Sequence, residues 1–584
     1  MTTSAEPQTI SNLADACAQP ELVSRSYDDR KWLIYDYGTD DFTGQVLFCG
    51  PWQDAPEVSI RLHRQGWHRI YLGLHYGMVA WPLESRTALS SSSSTAAATP
   101  LHILRVRLSG DNWRDMIEPE YPPGKRFGAF IPPEKLPPYR TVNINTVDEV
   151  YWRAAQLDGQ SLCISPHHEH GHEWSSAALA YIRLVPMDQA DLAEYGRERV
   201  RPETKRVFAT YDGSHPPLNE EEVRKWLEPL RDSDVETVAW GASDMDLCSY
   251  PTRVGLVQSD RSHYLSVANR RPFPAAGFDA LQTAARVCHE MGIECLGSMR
   301  ARGGRFPPSH LPQTGTSFFY EHPEFWCVSE TGQPVGHLSL AFPEVRAKQI
   351  EIMRDYLDGR DLDGVHYHFN RCYPFVLYEE PVVGDFQSQY GEDPRRLPFT
   401  DERWLRHRCG YVTTFLRELR VMLNGKKLYL TIPNSLENNF LNACDVRTWI
   451  AEKLVDGLHV HPCFSNIKTA GEDRVLPETV KPIQELASRQ GIKVWADLYP
   501  RYQTAESFRQ HALAFYEAGI YGVGLWDYYA RMTRKSEWAM ARLLGHREDL
   551  PRWREKARSL ARSIPLTSIC GMSNDPRYTV LSNG

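Results

Sequence analysis

Gly364-Val-His-Tyr-His-Phe-Asn370 decides the fold. In an extended chain, residues two apart share a face. Val365, Tyr367 and Phe369 therefore make one apolar side, and His366, His368 and Asn370 a polar one. Amphipathic stretches at Pro343–Leu357 and Asp401–Leu423 flank this segment. A strand between two helices turns its apolar side to the helices, so the histidines face the interior of a closed sheet. Gly457-Leu-His-Val-His461 repeats the pattern, with Leu458 and Val460 outward and His459 and His461 inward.

Working outward, further strands are expected at Val207–Asp212, Val235–Trp240, Ile293–Ser298, Lys427–Ile432, Ile492–Asp497 and Tyr521–Asp527. Helices are expected at Asn219–Arg231, Asp279–Met291, Val446–Leu454, Pro477–Arg489, Ala505–Ala518 and Lys535–Leu544. Gly292 and Gly491 each close a helix just before an Ile that opens a strand, which is the turn chemistry of αβ loops. Eight β/α units make a TIM (β/α)8 barrel over residues 200–548, in the α/β class. Upstream, 23–195 alternates apolar and polar residues between Gly, Pro and Asp punctuation, which predicts an antiparallel β-sandwich. Its strands are expected at 31–37, 45–49, 58–62, 68–74, 101–108, 147–152 and 179–185. Residues 1–22 are a polar N-terminal segment, and 90–99 reads as a low-complexity loop. Residues 549–584 form a polar C-terminal extension, expected to pack on the barrel or on a partner subunit, which leaves a homo-oligomer open.

The 584 residues are 42% hydrophobic and 24% charged, enough for more than one core. Net charge is -8, from 66 basic against 74 acidic residues with no basic block, so nucleic acid is not expected as a partner. No run approaches the roughly 18 to 20 apolar residues that cross a bilayer. Met1 to Pro20 lacks the basic flank and apolar stretch of a secretory signal, and the 12 cysteines stand singly, so reduced thiols in a cytoplasm are expected. Aromatic residues make 11% of the chain, and rings with polar tips suit faces that bind sugars.

In such a barrel the chemistry sits where strands end. Asp212, Trp240, Arg300, Asn370, Arg371, Asn434, His461, Asp497, Trp526 and Asp527 stand at those ends or just beyond them, with Asp244 and Asp246 after the second strand. Four inward histidines beside Asp497 could ligate a metal or form a shell that binds sugar and handles protons. They could also simply hydrogen-bond one another and hold the barrel. No dinucleotide fingerprint, Walker loop, nucleophile elbow or H-E-x-x-H is present, and neither a cofactor nor a resident metal is expected. His167-His-Glu-His-Gly-His-Glu173 reads as a polar loop able to trap a metal adventitiously.

Asp363-Gly-Val-His-Tyr-His-Phe-Asn-Arg-Cys-Tyr-Pro374, Phe386-Gln-Ser-Gln-Tyr-Gly-Glu-Asp-Pro394 and Asp401-Glu-Arg-Trp-Leu-Arg-His-Arg408 together resemble the family 10-like glycosyl hydrolase group of bacterial proteins. The resemblance covers mainly residues 200–545 and implies a TIM barrel and a glycosidase. Where that family has an acidic residue in D-G-x-H-x-D this chain has His368, so the strand-4 carboxylate is missing.

Glycoside hydrolysis uses two carboxylates about 5 to 9 Å apart. Asp497 is expected as nucleophile or base, with Glu379 or Glu380, in the loop after strand 4, as general acid. Asp212 and Asp527 are further catalytic candidates. Carbohydrate is then the partner, held by Trp240, Arg300, His366, His368, Asn370, Arg371, Asn434, His459, His461, Trp495, Tyr499 and Trp526. A metal-dependent hydrolase or lyase using the histidine pairs, and a sugar-binding barrel without catalysis, are the alternatives.

Overall fold

The computed structural model describes residues 6–50, 53–75, 103–117, 146–166, 176–211, 217–257, 277–300, 317–370, 373–468, 474–500, 503, 505–528, 535–554 and 561–573. Asp212, Arg371, the low-complexity stretch 90–99 and the histidine-rich segment 167–173 lie outside these residues.

Two sheets make up the N-terminal unit. The larger is built on Trp32–Gly38, Thr43–Cys49, Trp67–His75, Thr146–Gln156 and Ala177–Pro186. The smaller contains Val58–Arg61, Leu104–Leu108, Asp115–Ile117 and Ser161–Pro166. Alternation along each strand sends Trp32, Leu47, Ile70 and Leu72 of the first sheet and Ile60, Val106, Leu162 and Ile164 of the second into one apolar core. Ser161–Pro166, the strand around which the smaller sheet pairs, went unread in the sequence.

The C-terminal extension divides. Leu550–Trp553 packs on the barrel, where Arg509 donates to the Leu550 carbonyl at 3.2 Å. Beyond it, Ala561–Pro565 pairs antiparallel with Thr146–Gln156, and Ser568–Ile569 with Trp32–Gly38. The tail thus extends the N-terminal sheet at two places, where packing on the barrel or a partner had been expected.

Eight parallel strands close the barrel: β1 (Val207–Tyr211), β2 (Val235–Asp244), β3 (Glu294–Arg300), β4 (Gly364–His368), β5 (Lys427–Pro433), β6 (Gly457–His461), β7 (Lys493–Asp497) and β8 (Gly522–Leu525). Each pairs with its successor, and β8 pairs with β1. The outward residues, among them Val365, Tyr367, Phe369, Leu458 and Val460, join the helices in a single large core. β2 runs on into a hairpin past the expected Trp240. β8 stops short of Trp526, because Asp527 turns to φ +50°.

A buried ion pair ties the two units. Arg105, on Leu104–Leu108, donates from Nη2 to both carboxylate oxygens of Glu228 at 2.9 and 3.1 Å. Both side chains are nearly sealed from water, and burial raises the Glu228 pKa against the pull of Arg105. Breaking such a pair by removing one partner costs about 3–5 kcal/mol, whereas replacing both ions with apolar groups is near neutral. Arg105→Met should therefore lower stability to urea by about that amount, and Arg105→Met with Glu228→Leu should recover most of it. Equal losses in the single and double variants would show that this pair does not couple the units.

Candidate active site in the barrel lumen

Inward residues stack in tiers taken from alternate strands. Phe208, Leu296, Tyr429 and Trp495 of the odd strands make an apolar floor with Ala239. On it stand His366 and His459, 5.4 and 5.0 Å from the Phe208 ring. Gly524 of β8 leaves the space the next tier needs, since a Cβ there would sit on His459 Nε2. Thr210, Ser298, Thr431 and Asp497 form the third tier. Above them lie His368, His461 and Trp526, whose indole is 5.0 Å from one imidazole and 4.4 Å from the other.

Polar groups this deeply buried are stabilised by hydrogen bonds to one another. Ser298 Oγ lies 2.8 Å from His366 Nδ1 and 2.7 Å from His368 Nε2. Thr431 Oγ1 lies 2.7 Å from His366 Nε2 and 3.1 Å from His459 Nδ1. His459 and His461 each point Nε2 at an Asp497 oxygen from 3.6 Å. Asp497 Oδ1 also accepts the Trp526 N–H at 3.0 Å, and the carboxylate is 1% exposed. Asn370 Nδ2 is 3.1 Å from His461 Nδ1. The histidines thus communicate through hydroxyls and a carboxylate. Ser298 and Thr431 belong to this set, and Thr431 was not picked out from the sequence, because small hydroxyl residues inside strands give no signal of their own.

The other expected site residues separate by position. Trp526, His368, His461 and Asn370 gather at the Asp497 end, with Arg300 6.0 Å over the Trp526 ring. Half-buried Tyr499 lies 6.0 Å from His461. Phe464, 42% exposed, stands 5.4 Å from His461 and 6.1 Å from Tyr499. It was not singled out from the sequence, although an exposed ring three residues beyond His461 is the signal that would have found it. Asp527 is half-buried, its N–H held by Thr210 Oγ1 at 2.8 Å. Asn434 donates to the Arg474 carbonyl at 2.7 Å and accepts from Asn438 at 2.9 Å, bonds that hold the loops after β5 and β6. Asp246 accepts the Phe318 N–H at 2.9 Å.

Four residues lie elsewhere. Trp240 faces outward, 4.4 Å from Tyr211 and stacked on Trp226 of the first barrel helix. Trp495 is in the floor, at the opposite end of the lumen from the strand ends. Glu379 is buried at the start of the helix Glu380–Tyr390, where its oxygens accept the N–H groups of Leu377 at 2.9 Å and Val328 at 3.2 Å. Burial raises its pKa against those donors. These bonds bind it to the hairpin Trp326–Leu338, while its neighbour Glu380 stands in solvent.

Among the described residues no group of three or more His, Cys, Asp or Glu is disposed to hold a metal. Both nitrogens of His366 are already engaged by hydroxyls.

No family model matches the chain, and no curated protein matches it. Solved structures do match part of it. They include alpha-L-fucosidase isoenzyme 2 from Paenibacillus thiaminolyticus, 12% identical over 61% of this chain and 50% of that one, with a TM-score of 0.37. A beta-galactosidase from the psychrophilic Marinomonas ef1 is 13% identical over 61% of each chain, at 0.40. The catalytic domain of a beta-amylase from Paenibacillus polymyxa is 12% identical over 60% of this chain and 99% of that one, at 0.39. The chain thus spans half of the first of these and 61% of the second. At such identities the chemistry has to be argued from this chain's own residues.

The space at Gly524 is a sharp test of the tiers. Gly524→Ala should overpack the lumen at His459 and cost about 1–3 kcal/mol. Thermal unfolding measures the loss, and a shifted His459 ring resonance should accompany it. Unchanged stability with an unmoved ring would disprove the contact.

Proposed function

We propose that the protein is a glycoside hydrolase acting at the carboxyl end of the barrel, with Asp497 as nucleophile or general base. The observation that carries this reading is the position of Asp497. It is a carboxylate at the end of a barrel strand, pinned by a backbone N–H, faced by two imidazoles, and lying beneath Trp526, Tyr499 and Phe464. A fixed carboxylate can attack or deprotonate without reorganising, and donors already aimed at it hold its charge. Rings stacked toward the rim suit the apolar faces of a sugar, and Arg300 and Asn370 suit its hydroxyls.

The second carboxylate of the pair is drawn from Asp527, two residues beyond β8, or Asp212, next in sequence after Tyr211, in preference to Glu379 with its two backbone donors. Carbohydrate is the partner, and nucleic acid is not. The free state of every described cysteine supports a reducing, cytoplasmic setting. No helix among the described residues is long and apolar enough to cross a membrane.

Asp497→Asn should keep the fold and lower turnover of aryl glycosides by at least about 10²-fold, as loss of a nucleophile or base does. Phe464→Ala should raise KM with little change in kcat, since an exposed stacking ring contributes to binding alike in ground and transition states. Retention of more than a tenth of turnover by Asp497→Asn would remove Asp497 from the chemistry. Sugar binding without turnover in the unsubstituted protein would favour the non-catalytic barrel.

A further inference from the structure

We propose that Ser298, His366, Thr431 and His459 form a proton relay between His368 and Asp497. The relay lies wholly inside the barrel and crosses five strands, β3 to β7. Its contacts run His368 Nε2 to Ser298 Oγ, Ser298 Oγ to His366 Nδ1, His366 Nε2 to Thr431 Oγ1, and Thr431 Oγ1 to His459 Nδ1, at 2.7, 2.8, 2.7 and 3.1 Å. The last gap, His459 Nε2 to Asp497 Oδ1, is 3.6 Å. Closing it to hydrogen-bond length takes about 0.6 Å, close to the ordinary displacement of a well-ordered atom.

Proton bookkeeping makes these contacts a wire. A hydroxyl has one proton to give and lone pairs to receive with, and a neutral imidazole has one N–H and one bare nitrogen. Among the described residues Ser298 Oγ and Thr431 Oγ1 each bond two rings and no other group, so each donates to one ring and accepts from the other. The orientation of one ring therefore dictates the next.

With Asp497 ionised, His459 turns its Nε2–H to the carboxylate and accepts from Thr431. His366 Nε2–H then donates to Thr431 and accepts from Ser298, and His368 Nε2–H donates to Ser298. A proton arriving at His368 Nδ1 reverses every bond. The His368 Nε2 proton passes to Ser298, the Ser298 proton to His366 Nδ1, and the His366 Nε2 proton to Thr431. The Thr431 proton passes to His459 Nδ1, and the His459 Nε2 proton to Asp497. One proton enters, one reaches the carboxylate, and no ring is left charged. That economy matters on an apolar floor of Phe208, Tyr429 and Trp495, where an imidazolium would be desolvated at high cost.

Use of the relay in turnover rests on the reading of Asp497 as nucleophile or base. The relay itself does not, and it can be tested without a substrate. The readout is the rate at which the buried His459 ring N–H exchanges with water, measured by NMR saturation transfer on protein labelled with 15N-histidine. A cut anywhere stops the shift, because no ring can pass its proton on without receiving another. Thr431→Val, which removes only the hydroxyl, should slow His459 ring exchange at least 10-fold, and Thr431→Ser should restore it. A merely structural Thr431 predicts the opposite sign, since a loosened lumen exchanges faster. Unchanged or faster exchange in Thr431→Val overturns the relay. Should that variant fail to fold, Ser298→Ala cuts the wire at its other hydroxyl, and the same two outcomes decide.

Discussion

The lumen is nearly sealed by its own side chains, and half the residues of every strand must point into it. This one constraint governs the rest of the molecule. A barrel can meet it with apolar layers, as this one does at its floor with Phe208, Leu296, Tyr429 and Trp495. Above the floor it inserts His366, His459, Ser298, Thr431 and Asp497, all nearly inaccessible to solvent. Each such group is costly unless bonded, so the set holds only as a connected network. Gly524 shows how tight the fit is: β8 contributes no side chain at the level where β6 contributes an imidazole.

Alternation made that arrangement legible. His366, His368, His459 and His461 could be assigned to the lumen because Val365, Tyr367, Leu458 and Val460 can only face helices, and the structure places them there. Helix ends were legible for a similar local reason. Pro343–Leu357 agrees at both ends, and Asp401 caps Glu402–Leu423 by accepting from the N–H groups of Arg403 and Trp404. Elements defined by distant partners were not legible. Ala561–Pro565 is a strand only because Thr146–Gln156, some four hundred residues earlier, offers it an edge. Trp240 misled for the converse reason. It ends the expected strand, but one place out of phase with the inward residues, so its ring meets Trp226 on the helix side.

The motifs behind the glycosyl hydrolase resemblance are, in this structure, instructions for folding. Gly391 takes φ +71° to end the helix Glu380–Tyr390, and Asp393 accepts the Arg395 N–H to begin the next turn. Trp404 is sealed between Tyr378 and Phe386, and Arg408 donates to the carbonyls of Val376 and Leu441. Residues that cap helices and bridge loops preserve the shape of the βα segment after β4 whatever reaction takes place above it. These residues hold the architecture, while the chemistry falls to the lumen side chains.

There the choice of an imidazole at His368, where an acid could stand, is informative. An ionised carboxylate in that place would accept from Ser298 but could not pass a proton on while remaining charged, and it would add a second negative charge to a deeply buried lumen that already holds Asp497. A neutral imidazole accepts at one nitrogen and donates at the other, and so continues the hydrogen-bonded chain that Ser298 and Thr431 begin. An imidazole at this place and a continuous imidazole–hydroxyl chain are thus one feature seen from two sides, and it leaves Asp497 as the buried carboxylate on which that chain converges.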